Sequence, residues 1–485
     1  MLTVTEKNKY LLFYGISFVF VLLNVFFLSR EIYLFSLLPL ICILLVALIY
    51  RIDNILLLVV FFTPLSISLS AMDIDPGFDL YLPTEPLLIG ITILFLLRIL
   101  HEKTFDTHIL RHPITFGIAI NIIWIFITSC TSTMPMVSFK FLIARLWFIV
   151  GFYFLGVLLF RSISNAFSFV WLYSIAFSIV IFYTLYRLSD YGFFNENAAH
   201  FVMTPFYKDH TSYGAMLAML IPVWIGFLFL KNDYRLIHKI FILFFIILFF
   251  VALVFSYTRA AWASMIVGAI AFAFIRLRIK LSVVAVLAVG LLIALYSYRS
   301  EIIMKMEKNR QESNADITKH MQSISNISTD ASNLERINRW KCAFRMFREK
   351  PLFGWGPGTY SFTYGPFQLS YDKTIISTNF GNKGNAHSEY IGPLAESGVL
   401  GLLSFLFMVL IVVYYGIRNY YRAQNSQIRI LSLSILMGFI TYLVHGCINN
   451  FLDTDKISVP FWGFIAIITA IDIYHSKEAE KKQLN

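Results

Sequence analysis

Apolar runs of about twenty residues recur from one end of this 485-residue chain to the other. Such a run, folded as an α-helix, crosses the roughly 30 Å hydrocarbon core of a bilayer. Only helices suit these runs, because lipid offers no water to satisfy backbone polar groups. Charged residues make up 14% of the chain, against ~25% in soluble domains. The sequence therefore predicts an all-α polytopic membrane protein.

The runs predict about 12 to 14 transmembrane helices. The first run is not followed by small residues of the kind that signal peptidase cleaves, so we expect it to be retained as a span. The expected spans are 10–29, 32–50, 54–71, 85–100, 113–130, 141–160, 166–186, 212–230, 237–255, 260–275, 281–298, 397–417, 430–446 and 457–474.

Lys and Arg are concentrated in alternate loops, on the side of the N-terminus. Since positively charged loops stay in the cytoplasm, this bias predicts cytoplasmic termini and an external segment at 299–387. The net charge of +11 follows from this asymmetry and gives no reason to expect nucleic-acid binding. The expected regions are the first eleven spans in 1–298, a large external loop in 299–396, and the remaining spans with a cytoplasmic tail in 397–485.

The large loop is expected to be partly helical. Residues 332–335 read as a capping box, and apolar residues at helical spacing follow in 334–347. Pro351 ends this predicted helix, and residues 354–358 form a glycine-rich turn. A loop of this length is expected to carry function or its own structure.

Three arginines are candidate site residues. Arg259 lies in a short external turn between two apolar spans, against the charge bias. Such a residue either snorkels at the interface or marks a substrate path. Arg336 and Arg339 lie on the loop helix close to Trp340, which belongs to its apolar face. These two are either solvated charges or, together with Trp340, part of a site that attracts an anionic substrate.

His387 is a candidate general base at the end of the loop. It precedes a predicted helical segment, 388–396, whose positive N-terminal end disfavours an imidazolium and keeps the ring neutral. Glu389 and Glu396 could orient the ring. The alternative is a histidine that is only hydrogen-bonded at the membrane interface.

Two further pairs could contribute to the same site. Lys140 and Arg145, near the external end of the sixth expected span, add positive charge at that depth or simply snorkel. Asp209 and His210 form a polar cluster directly before a span, which suits either packing or catalysis.

Several kinds of site are not indicated. A phosphate-cradling glycine loop with Lys-Ser/Thr is absent from the sequence, as is an Asp-rich metal pair, so we expect no nucleotide hydrolysis, metal or cofactor. Cys130, Cys342 and Cys447 fall near the external side, where a disulfide is permitted, and none has metal-site spacing.

The candidate residues form an ordered set of motifs. The chain resembles the O-antigen ligase and polymerase superfamily between about residues 204 and 450. The order and spacing of Arg259, Arg336 and His387 around one large loop are the most specific part of this resemblance. The motifs that carry it are 258–262, 336–340, 351–358 and 387–390.

The resemblance implies a glycosyltransferase of the bacterial inner membrane. Such enzymes move a glycan from undecaprenyl diphosphate to an acceptor hydroxyl, such as that of lipid A-core, on the periplasmic side without metal. By this resemblance, Arg259 and Arg336 hold the donor diphosphate and His387 activates the acceptor. Ser388 stands where the family often has Asn, so ligase, repeat-unit polymerase and protein O-oligosaccharyltransferase all stay open.

The residues suit this chemistry on physical grounds. Two guanidiniums can bind a departing diphosphate bidentately and stabilise its charge. His387 would take the acceptor proton, and in-line attack would invert the anomeric centre. A non-enzymatic alternative is a flippase for lipid-linked glycans, which would use the arginines but would not need His387.

Overall fold

The structure, a computed structural model, describes residues 4–31, 35–36, 38–39, 51–72, 80–102, 105–230, 236–298, 320–374, 377–378 and 384–475. Within these ranges 79% of the residues are helical and almost none are in strands, which confirms the predicted all-α polytopic membrane fold. One small antiparallel ladder joins β1 (Ile67–Ser68) to β2 (Tyr81–Leu82).

The helices are α1 Val4–Leu28, α2 Ile52–Phe62, α3 Thr84–Glu102, α4 Thr107–Leu110, α5 Pro113–Cys130, α6 Pro135–Phe148, α7 Leu155–Leu159, α8 Ile163–Tyr191, α9 Glu196–Ala199, α10 His210–Leu228, α11 Leu236–Phe255, α12 Arg259–Arg276, α13 Leu281–Ser297, α14 His320–Glu349, α15 Tyr360–Thr363, α16 Ile391–Arg422, α17 Ser426–His445 and α18 Asp455–Ala470. Single 3₁₀ turns occupy Thr63–Leu65, Ser70–Met72, Gly365–Phe367 and Ser370–Asp372. A π-helical stretch, Ile149–Phe154, joins α6 to α7, and another, Ile471–His475, follows α18.

Eleven helices in the described ranges are long and apolar enough to cross a membrane. Two predicted spans correspond to shorter helices, Ile52–Leu65 and Leu281–Ser297, and most of the predicted span 32–50 lies outside the described residues. The loop helix α14 already begins at His320, so the predicted start at 332 is wrong. A capping box is a local preference, and a continuing ladder of backbone hydrogen bonds overrides it.

Helix α18 forms the centre of the bundle. All of its residues are buried, whereas the apolar part of α1 contributes no buried residue. The most extensive helix pair is α10 with α17, and glycines let these two approach closely. A Cβ on Gly226 would lie 2.4 Å from Cβ of Ser434, and one on Gly438 would lie 2.3 Å from the carbonyl oxygen of Met219. Close backbone contact of this kind is typical of helix packing in membranes.

Two helices contain an internal proline, and each freed carbonyl has a partner on a neighbouring helix. Pro222 cannot donate to the carbonyl of Ala218, which instead accepts from the Thr441 hydroxyl at 3.1 Å. Pro460 likewise frees the carbonyl of Lys456, which accepts from the Tyr173 hydroxyl at 2.7 Å. These bonds fix α10 to α17 and α18 to α8.

Candidate active site

The glycine-rich turn 354–358 attaches the loop to the membrane bundle. Gly356 donates to the carbonyl of Glu396 at 2.7 Å, and Trp355 donates to the carbonyl of Ala395 at 3.2 Å. Helix α16 breaks at Gly398, where φ is 70°, and a Cβ there would meet the Leu352 backbone. Only glycine accommodates both this φ and this contact. The start of α16 is therefore held against the loop.

A polar cavity of about 590 Å³ lies between the loop and the N-terminal ends of α10, α16 and α18. Four of the predicted site residues are described but do not line it: Arg259, Lys140, Arg339 and Trp340. The structure does bring six of them together on the cavity wall: Arg145, Asp209, His210, Arg336, His387 and Glu396.

His387 is half-buried on this wall, in a left-handed backbone conformation with φ of 49°. Its amide donates to Oδ1 of Asn385 at 3.1 Å, which fixes the turn. Burial, and then the charges of Arg336 and Arg339, lower the pKa of His387 to about 4. A pKa this low favours the neutral ring at pH 7, and its main cause is burial, followed by the two arginines, and not the helix end that the sequence suggested.

Ser388 and Glu389 organise the chain around His387. The Ser388 hydroxyl accepts from the amides of Tyr390 and Ile391 at 3.2 Å each, so it caps α16. Oε1 of Glu389 accepts from the amides of Phe451 and Leu452, at 2.8 and 2.9 Å. This carboxylate therefore ties α16 to the segment that precedes α18.

Glu396 has a comparable anchoring contact. Its Oε1 accepts from the amide of Tyr360 at 2.9 Å, next to the glycine-rich turn. Among the described contacts, neither Glu389 nor Glu396 is hydrogen-bonded to His387, so the structure gives neither the orienting contact that the sequence suggested. Both carboxylates nevertheless border the cavity.

Arg336 enters the cavity from α14 and lies within electrostatic reach of Asp209. Asp209 caps α10, because its Oδ1 accepts from the Ser212 amide and the Thr211 hydroxyl at 2.8 Å each. Burial acts to raise the pKa of Asp209, but these hydrogen bonds outweigh it, so the pKa is lowered and the carboxylate stays charged. His210 stacks on His200 with ring centroids 4.1 Å apart.

Arg339 lies behind the cavity wall and not on it. Its Nε is 2.6 Å from Oε1 of Glu335, and its guanidinium lies 3.9 Å from the ring centroid of Tyr364. A Cβ on Gly384 would come within 2.6 Å of its Nη1, so Arg339 supports the loop just before His387. Trp340 is half-buried on the same helix. The charge of Arg339 nevertheless helps to lower the pKa of His387.

Arg259 is the first residue of α12 and is exposed. The preceding residue, Thr258, donates to the carbonyl of His210 at 2.8 Å, which places Arg259 at the same end of the bundle as the cavity. Lys140 is exposed on α6. Arg145 does reach the cavity, where its Nη2 lies 3.6 Å from Oδ1 of Asp453.

Two lysines on the cavity wall, Lys208 and Lys456, were not predicted as site residues from the sequence. Lys208 is exposed there. Lys456 is buried, donates to the carbonyl of Ser66 at 2.8 Å, and lies 3.2 Å from Oδ1 of Asp455. The adjacent charges of Asp455 and Lys456 at the start of an apolar span were the available signal. In the described ranges Cys130, Cys342 and Cys447 are unpaired.

Comparison with known proteins adds to this geometry. A family model described as O-antigen ligase matches residues 243–406, a segment that contains Arg259, Arg336 and His387. An uncharacterized protein of Haemophilus influenzae is 23% identical over 230 residues, which cover 46% of this chain and 54% of that protein. The chain thus spans about half the length of that relative. The predicted resemblance is confirmed: through residues 243–406 this chain is similar to the O-antigen ligase superfamily.

Proposed function

We propose that this chain is a glycosyltransferase that moves a glycan from undecaprenyl diphosphate to an acceptor hydroxyl, with lipid A-core as the acceptor. One observation carries the proposal: Arg336 and His387, far apart in sequence, border the same polar cavity at one end of the bundle. The similarity of residues 243–406 to O-antigen ligases supports a membrane glycosyltransferase in general.

Arg336 and Arg259 would hold the donor diphosphate. As the glycosidic bond breaks, negative charge grows on the departing diphosphate, and charge-assisted hydrogen bonds from guanidiniums stabilise it. Arg336 is partly buried, which strengthens such an interaction relative to bulk water. Arg259 lies at the same end of the bundle on α12 and would bind the diphosphate from the bilayer side.

His387 would act as the general base. Its neutral ring takes the proton of the acceptor hydroxyl while that oxygen attacks the anomeric carbon and the diphosphate leaves with the bonding electrons. Attack opposite the leaving group inverts the anomeric centre. Bound diphosphate would raise the pKa of His387, since a nearby negative charge favours the imidazolium. The base is then stronger in the complex than in the free enzyme.

The proposal places the site in the periplasm and both termini in the cytoplasm, because Lys and Arg favour the loops on the other side. Reporter fusions at Ser325 and after the last described helix measure this orientation. We expect a periplasmic signal from Ser325, and a cytoplasmic signal there would contradict the proposed site. The expected location is the inner membrane of a bacterium.

Transfer by the purified protein tests the activity. The assay supplies undecaprenyl-diphosphate glycan and a lipid A-core acceptor, with chelator present, since the proposed reaction uses no metal. A glycolipid profile of a deletion strain then separates the acceptor classes. Carrier-linked full-length polymer indicates a ligase, single capped repeats indicate a polymerase, and unmodified protein acceptors indicate protein glycosylation.

The non-enzymatic alternative is a flippase for lipid-linked glycans. It would need the arginines for the diphosphate, but it would not need His387. Normal function of a His387→Ala variant, with glycolipid crossing the membrane as before, would favour the flippase.

A further inference from the structure

A second concave surface, which we call the apolar groove, lies at the other end of α10, α12 and α17. It has a volume of about 700 Å³ and lies between the C-terminal parts of α10 and α12 and the N-terminal part of α17. The larger apolar side chains on its wall include Ile225, Phe229, Met265, Phe272, Leu433 and Met437.

Small residues keep the groove open. Gly226 and Gly268 let α10 and α12 pack directly on α17, where Cβ atoms would come within 2.4 Å of Ser434 and 2.9 Å of Thr441. Ala269 is exposed on the wall beside them. The helices pack closely on the protein side of the groove, and the residues on its lipid side are small. The surface that faces the lipid is therefore concave.

Two arginines from different helices stand on the rim of the groove. Arg276 is the last residue of α12, and Arg429 lies in the first turn of α17; both are exposed. Nε and Nη2 of Arg429 donate to the carbonyl of Ala423 at 3.1 and 2.7 Å. This contact orients the guanidinium and leaves further N–H groups for a ligand.

The depth of the rim in the membrane follows from the length of α12. At 1.5 Å per residue, Arg259 and Arg276 are roughly 26 Å apart along the helix axis. That distance approaches the ~30 Å thickness of the hydrocarbon core. Arg276 therefore lies at the membrane interface opposite the polar cavity, at the level of lipid head groups, with the apolar wall beneath it.

We infer that the apolar groove binds a glycerophospholipid of this second leaflet. Its acyl chains would lie against the groove wall, and its phosphate would be held by Arg276 and Arg429. The groove offers an apolar channel below and two phosphate-binding forks above, which matches an anionic amphiphile oriented as in a bilayer. The inference does not depend on the proposed transfer reaction, because it uses residues from the opposite end of the bundle.

Native mass spectrometry of the purified full chain, with phosphatidylglycerol added as the probe, tests this. We expect bound phosphatidylglycerol on the wild type and at least about a tenfold weaker association for the Arg276→Gln/Arg429→Gln double variant, because both charge-assisted contacts to the phosphate are lost. A tenfold change corresponds to about 1.4 kcal/mol. Arg422→Gln is the matched control, since Arg422 is exposed at the same end of the bundle but does not line the groove.

A second variant blocks the groove without changing charge. Ala269→Trp should also displace phosphatidylglycerol, whereas Ile270→Trp, next to it but off the wall, should not. Equal retention of phosphatidylglycerol by the double variant would overturn the inference. So would selective binding of undecaprenyl phosphate in place of phosphatidylglycerol, or a dimer that Ala269→Trp dissociates, because the groove would then belong to the carrier chain or to a second copy.

Discussion

The two concave surfaces of this protein lie at opposite ends of the helix bundle and differ in what lines them. The polar cavity is bordered by charged and amide side chains, many of which also hold backbone groups in place. The apolar groove has a hydrocarbon wall, and its two arginines stand only at the rim. Charge is thus distributed through the wall in one and restricted to the edge in the other. The first suits a reaction that moves charge, and the second suits a resident lipid.

Of the changes at the two ends, His387→Ala should have the largest effect on the rate of transfer. We expect transfer to fall by about 10²- to 10⁴-fold, the usual cost of losing a general base. Binding of the undecaprenyl-diphosphate donor should persist, because the arginines hold it. His108→Ala, an exposed histidine outside the cavity, is the control. Full transfer by His387→Ala would make the residue structural and turn attention to Asp209, His210 or Glu396 as the base.

Substitution of Arg336 or Arg259 should have the next largest effect on transfer. Arg336→Lys and Arg259→Lys keep the charge but lose the bidentate fork, so we expect each to lower transfer by about 10²- to 10³-fold. Steady-state rates at saturating donor measure the loss. Wild-type rates in both variants would show that the two charges only attract the donor. The Arg276→Gln/Arg429→Gln double variant at the other end should transfer at close to the wild-type rate.

A substitution in the glycine-rich turn, at the end of the bundle that carries the polar cavity, should destabilise the protein. A Cβ on Gly356, whose φ is 117°, would clash with the Ser132 side chain. Gly356→Ala should therefore lower the free energy of unfolding by about 1–3 kcal/mol or more. Gly290→Ala is the matched control, since nothing lies within 4 Å of its added Cβ. Thermal unfolding in detergent compares the two, and equal midpoints would mean that the turn adapts.

The smallest expected effect is a shift in the pH dependence of transfer. His387 must be neutral to accept a proton, so kcat/KM should fall as pH drops through its pKa of about 4. The positive charge of Arg336 lowers that pKa, so Arg336→Gln should move the acidic limb to higher pH. For kcat the limb should also lie higher, because bound diphosphate stabilises the imidazolium. An acidic limb that does not move in Arg336→Gln would show that the arginine does not influence His387.

The sequence predicted the spans, since apolar runs are local signals. It also singled out Arg336 and His387, which border the cavity, and Arg259, which does not. It could not predict which of these residues share a cavity. Arg339 and Trp340 lie one turn after Arg336 on the same helix face, yet neither borders the cavity. Arg339 is instead paired with Glu335 and lies over the ring of Tyr364. Glu389 looked like a partner for His387, but its bonds go to residues about sixty positions later. Such pairings depend on tertiary packing.

The position of α18 has a consequence for how the protein is made. This buried central helix follows every other described helix in the chain, so it is synthesised after them. Until it inserts, the earlier spans lack the buried helix against which they pack in the complete fold. The bonds from Glu389 to Phe451 and Leu452 can form only at that stage. A nascent chain therefore contains Arg259, Arg336 and His387 before the helix that completes the cavity wall has been synthesised.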